Sequence, residues 1–149
     1  MMTVGLLIVA TLIAAIVDLK YRRIPNALTA ALACAGIILQ LQQGVAQAAM
    51  AAFAMLVVFA LGSVIFSAGW LGGGDIKLIA ACCAVVGSSD SLLLVLEILI
   101  VGGLVSLAAL LLHRRSARAT VTVPYGLAIA GGTVTYAIST LLPGLRPPL

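Results

Sequence analysis

An uncharged stretch from Ala46 to about Phe66 sets the terms for this chain. It is long enough to cross the hydrocarbon core of a bilayer, which takes about 20 helical residues. Five more apolar runs flank it: Thr3 to Val17, Ala27 to about Leu41, Asp75 to Val86, about Leu92 to Leu112, and Tyr125 to about Leu142. In lipid every backbone N–H and C=O must find its partner within the protein, so apolar runs separated by short turns predict helices. Charged residues make up 8% of the 149, against about 25% in soluble domains, too few to cover a water-facing surface. The expected architecture is an all-α integral membrane protein, a bundle of about six transmembrane helices. Residues 1–149 are expected to form a single membrane-embedded domain, with no room for a soluble module.

Charge placement supplies the orientation. With six crossings, every Lys and Arg except Arg146 falls on one side: Lys20, Arg22, Arg23, Lys77, Arg114, Arg115 and Arg118. Because cytoplasmic loops carry the excess of positive charge, both termini are expected outside, in the inner (plasma) membrane of a bacterium or archaeon. A cleaved signal peptide would carry its positive charge before the apolar core, whereas here it follows. The first helix is expected to run through Asp18 towards Arg23 and to stop before Pro25, since the residue before proline is disfavoured in helix. Asn26 is expected to cap the second helix. Gln40, Gln42, Gln43 and Gly44 form an outer turn, and so do Gly87 to Ser91, with Asp90 expected as a solvated helix start. Trp70 suits the interfacial belt. Gly102 with Ser106, and the Gly131–Gly132 pair, are expected to let helices approach closely. The net charge of +4 lies in loops without an aromatic-interleaved basic face, so no nucleic-acid partner is expected. Cys34, Cys82 and Cys83 form no CxxC pair and read as small packing residues, so neither a metal nor another cofactor is expected.

Among only four acidic side chains, Asp75 follows a glycine run, Gly72-Gly73-Gly74, at the start of an apolar helix. Glycines let another backbone approach closely and tolerate conformations other residues avoid. An ionisable group at that depth is a functional candidate; the plainer reading is a helix cap. Asp18 reaches the same face at the end of the first helix, where an anion at the negative end of the dipole is disfavoured by roughly 0.3–1 kcal/mol. Its plainer reading is an ion pair with Lys20, Arg22 or Arg23. The two acids can meet if the first and fourth helices pack together. Each is followed two residues later by a lysine, and residues two apart on a helix do not face each other. Lys20 and Lys77 are therefore expected to reach head groups or substrate. Two adjacent, half-buried carboxylates cannot both ionise cheaply, so the pair is expected to share a proton. One can then take a proton from water while the other protonates a scissile carbonyl oxygen. The single histidine, His113, sits in a basic loop and offers no competing nucleophile–base pair.

Asp18 followed by Arg23-Ile24-Pro25-Asn26, then Gly72-Gly73-Gly74-Asp75-Ile76-Lys77-Leu78, then Pro124-Tyr125-Gly126, resembles the type IV prepilin peptidase family of GxGD membrane aspartic proteases. The resemblance covers nearly the whole chain, including motif order and helix count. It implies that Asp18 and Asp75 are the catalytic pair and that Gly72, Gly73 and Gly74 shape the loop holding the second. It further implies that Pro25, Asn26, Lys77, Tyr125 and Gly126 bind substrate or shape the site. The implied reaction removes the basic leader of pilin-like precursors at the cytoplasmic membrane face, just before their apolar helix. The precursor is then the protein partner, with pilus or secretion machinery as a further one. Longer members carry a CxxC-containing insertion and also methylate the new N-terminus. This sequence has no such insertion and no CxxC, so it resembles short members serving Flp-type (Tad) pili or archaeal flagellin-like systems, and cleavage without methylation is expected.

Two other classes stay open on the residues alone. A small transporter or channel component would use Asp18, Asp75 and Glu97 for ions or protons, but two of the three share one face and no inverted repeat is detectable. A scaffold subunit of a pilus or secretion machine would keep the fold without activity. Glu97, within the fifth span, is expected to face the bundle interior, hydrogen-bonded or protonated. Tyr125 is expected either to line a substrate groove or to anchor at the interface.

Overall fold

The structure, a computed structural model, describes residues 2–69, 71–113 and 125–142. Trp70, the basic segment from Arg114 to Arg118, Pro124 and the tail with Arg146 lie outside the described residues, and with them three of the seven cations behind the orientation argument. Six α-helices follow in order: α1 (Met2–Tyr21), α2 (Asn26–Leu41), α3 (Val45–Ser67), α4 (Gly73–Val86), α5 (Ser88–His113) and α6 (Tyr125–Leu141). No strand occurs among the described residues. Helices α1, α3 and α5 contain segments long and apolar enough to cross a membrane, and α2 is apolar but shorter.

Three boundaries differ from expectation, each for a local reason. Asn26 is the first residue of α2 rather than its cap; Pro25 takes the cap position with φ −63°, and its carbonyl accepts from the N–H groups of Leu28 and Thr29. Asp75 is not a cap either, because α4 opens at Gly72 and Asp75 is its third residue. The expected five-residue outer turn shrinks to Gly87, whose φ of +83° reverses the chain in one step; glycine makes this inexpensive. Asp90 therefore lies inside the first turn of α5. It is not simply solvated, since it accepts a 2.7 Å hydrogen bond from the Tyr136 hydroxyl on α6.

Helix α4 forms the axis of the bundle and touches all five others. Ile76 and every residue from Leu78 to Val85 are buried. Its 14 residues span only about 21 Å at 1.5 Å per residue, less than the roughly 30 Å hydrocarbon core. By contrast α3 is mostly exposed along its length, presenting Phe53, Phe59, Leu61, Val64 and Phe66 outward. Exposed apolar surface on this scale suits contact with lipid rather than water.

Small residues set the closest approaches, as expected for membrane helices. A Cβ added at Gly36 would lie 2.7 Å from the backbone of Ala84 on α4, and one at Gly132 would lie 2.5 Å from Ile98 Cα on α5. Halfway along the bundle, the hydroxyls of Thr11 on α1 and Thr133 on α6 hydrogen-bond at 2.8 Å, both fully buried. Because its obstacle is backbone, Gly132→Val should destabilise the fold by about 1–3 kcal/mol or more. Gly103→Ala, which meets nothing within 4 Å, should leave thermal unfolding unchanged. Equal melting temperatures for the two variants would contradict the packing described for α5 and α6.

Candidate active site

The end of α1 and the starts of α2, α4 and α6 meet at one end of the bundle. The chain leaves α1 through Arg22, whose φ of +52° stops the helix, and the Arg22 N–H donates to the Asp18 carbonyl at 2.8 Å. This leaves Asp18 in the last turn of α1, with only 8% of its surface exposed. Its Oδ2 accepts a 3.0 Å hydrogen bond from the backbone N–H of Gly126, the second residue of α6. Free N–H groups and the positive dipole end of a helix N-terminus favour an anion. The unfavourable placement of Asp18 at the tail of its own helix is therefore offset by the head of another. A Cβ at Gly126 would fall 2.9 Å from Asp18 Cβ, so the contact needs a residue without a side chain.

Asp75 is half-buried in the first turn of α4. The backbone amide of Gly72, at the cap position, hydrogen-bonds its carboxylate, the reach-back that a third-position acid makes in a capping box. The glycine run works through space rather than unusual dihedrals: none of Gly72, Gly73 or Gly74 has a positive φ. A Cβ at Gly72 would lie 2.6 Å from Asp75 Oδ2, one at Gly73 would contact the Phe66 ring at 3.5 Å, and one at Gly74 would stand 3.2 Å from Ile24 Cβ. The run thus holds Asp75, α3 and the α1–α2 connection against one another.

Asp18 and Asp75 come close enough to act on each other electrostatically, and Asp75 acts likewise on Tyr125. Tyr125 is half-buried and packs against the core; its hydroxyl would sit 2.7 Å from a Cβ at Gly102 on α5. Gly102 therefore serves Tyr125 as well as helix packing. Lys77 points away from this cluster and donates to Asn26 Oδ1 at 3.0 Å, tying α4 to α2. Lys20 lies over the Tyr21 ring, 5.2 Å from its centroid. The structure thus brings together Asp18, Asp75, Gly72, Gly74, Tyr125 and Gly126, sets Lys77 and Asn26 as a neighbouring pair, and gives Pro25 a helix-starting role. Ile24 was read as the residue before Pro25 and as part of the Arg23-Ile24-Pro25-Asn26 stretch; its contact with Gly74 has no signal in sequence spacing.

An apolar cavity of about 220 Å³ adjoins the site. Leu61, Gly62 and Ile65 of α3, Leu71 of the glycine loop, Ile76 of α4 and Leu99 of α5 line it. Glu97 is elsewhere, in the outer half of the α5–α6 seam by the expected orientation. It accepts a 3.0 Å bond from Ser139 Oγ, and its Oε2 is buried without a hydrogen-bond partner. Among the described residues no three His, Cys, Asp or Glu side chains gather as a metal-binding group would require.

Fold and site together define a helical membrane protein with two carboxylates converging at one end of its bundle. A model of the type IV leader peptidase family matches residues 5–107, spanning both acids. The chain belongs to that family, and its general activity is that of a leader peptidase. The match stops short of Tyr125 and Gly126. No curated protein and no solved structure matches the chain.

Proposed function

We propose that this protein is an aspartic endopeptidase that removes the basic leader of type IV pilin-like precursors at the cytoplasmic face of the plasma membrane, without methylating the new N-terminus. Asp18 and Asp75 are the catalytic pair on this reading, and residues 1–149 act as one peptidase domain. The observation that carries it is the convergence of two acids 57 positions apart in sequence (75 − 18), one oriented by the α6 amide and the other by the glycine loop.

The chemistry needs one proton shared between the two carboxylates. The ionised member takes a proton from a water whose oxygen attacks the scissile carbonyl carbon, and the protonated member gives its proton to the carbonyl oxygen. The tetrahedral diol then collapses: the C–N bond breaks, the leaving amine takes a proton from the newly protonated carboxyl, and a diol hydroxyl returns its proton to the other. The pair ends as it began. Backbone N–H donors from Gly72 and Gly126 are fixed before substrate arrives, so they need no reorganisation during the reaction. The precursor's apolar helix suits the cavity lined by Leu61, Leu71 and Leu99, and the basic leader suits a site open to the cytosol.

Membrane co-expression with a leader-bearing precursor tests the reading. The expected result is a smaller product whose new N-terminus, weighed by mass spectrometry, carries no added methyl group. An unshortened precursor would refute the substrate assignment, and a methylated product would refute the restriction to cleavage.

A further inference from the structure

A groove of about 350 Å³ opens between α2 and α3, with α4 as its floor, and shares no residue with the cavity beside the carboxylate pair. Its two ends differ. At the head of α2 the lining is polar, formed by Asn26 and Lys77 hydrogen-bonded at 3.0 Å. Deeper in, Ala30 and Ala33 of α2, Met55 and Phe59 of α3, and Ala80 and Ala81 of α4 line it. Ala33 lies about 10 Å along the helix from Asn26, so the groove turns from polar to apolar on its way into the bundle. Thr29, which also lines it, spends its hydroxyl on the Asn26 carbonyl at 3.0 Å. Among the described residues, Lys77 is the sole charged side chain in the lining.

The polar end has only donors to offer. An ammonium carries three N–H bonds and no acceptor, so the Asn26 oxygen must face Lys77 and the amide NH₂ is turned away from it. Two N–H bonds are then left on each group, and neither side chain has a further partner among the described residues. Donors and a positive charge suit an oxyanion, and the apolar depth behind them suits a hydrocarbon chain. We propose that this groove binds one anionic phospholipid, its phosphate on Lys77 and Asn26 and an acyl chain lying against α2, α3 and α4. A choline-bearing lipid would bring its own cation beside Lys77, with no described carboxylate in the lining to receive it. A free phosphate would leave the apolar depth unfilled. The proposal is independent of the peptidase reading, since it needs only that the chain lie in a bilayer with the head of α2 near the surface.

Native mass spectrometry of the full chain, released from nanodiscs of equal phosphatidylglycerol and phosphatidylcholine, tests it. Wild type should retain phosphatidylglycerol over phosphatidylcholine by roughly tenfold, the factor one hydrogen bond to a charged group supplies. Lys77→Gln keeps donors without the charge and should fall to parity, whereas Lys77→Arg should keep the preference. Lys20 is a cation at the same end that does not line the groove. A general attraction of basic residues to anionic head groups would be weakened as much by Lys20→Gln, which should instead match wild type. Ala30 is exposed on the groove wall, so Ala30→Trp fills the groove without entering the core. It should lower phosphatidylglycerol retention roughly tenfold although every cation remains, and it decides the matter if Lys77→Gln does not fold. Parity in wild type, a preference that survives Lys77→Gln or Ala30→Trp, or an equal loss in Lys20→Gln would overturn the proposal.

Discussion

Asp75→Asn and Asp18→Asn should each leave a leader-bearing precursor almost uncut, with cleavage down by roughly 10²–10⁴-fold, the range that general acid–base groups supply. Asparagine keeps the shape and the acceptor oxygen but can neither take a proton from water nor hold one for the carbonyl. The fold should survive, because the amide oxygen introduced at position 75 can still accept from the Gly72 N–H, and the one at position 18 from the Gly126 N–H. Precursor size on a gel, beside thermal unfolding of each variant, separates lost chemistry from lost structure. The double variant should be little worse than either single one, because groups that act as a unit are not additive. Undiminished cleavage by either folded variant would remove that residue from the reaction. Flux across vesicles that falls in these variants while processing continues would favour the transporter reading; neither effect would favour the scaffold.

Gly126→Val should cut cleavage by roughly 10²-fold, since a displacement of about 1 Å at a catalytic group can have an effect of that size. The new side chain would start 2.9 Å from Asp18 Cβ and 3.0 Å from Oδ2, so Asp18 must move away from the amide that holds it. Gly126→Ala should show the same loss in weaker form. Because Gly126 lies beyond the matched family residues, this variant asks whether α6 belongs to the site at all. Activity equal to wild type in a folded Gly126→Val protein would show that the Asp18–α6 contact is dispensable.

Asp18 shows where sequence reading reached and where it stopped. Its place on the same face as Asp75 followed from counting apolar runs, and the helix through Tyr21 matched the expected continuation past Val17. The remedy for its awkward position at a helix C-terminus came from Gly126, 108 residues away, which no local pattern can indicate. Packing of the first helix on the fourth was anticipated, yet α1 packs far more extensively on α6. Asp90 was misread as solvated because its partner, Tyr136, belongs to a different helix. The glycine run was noticed for good reason, but conformational freedom was the wrong half of the explanation: its φ values are ordinary, and what matters is the room left for Asp75, Phe66 and Ile24.

The sequence alone determined the helices, their number and their order, because a run of apolar residues in lipid has no way to satisfy its backbone except helically. It also confined the chemistry, since a chain with four acids and one histidine has few groups with which to move a proton. Which helices touch was decided by tertiary packing, where complementary surfaces such as Gly132 against Ile98 and Gly36 against Ala84 choose partners that no linear spacing encodes. That choice made the shortest helix the central one and brought the head of α6 to the tail of α1. Two acids distant along the chain became neighbours as a result.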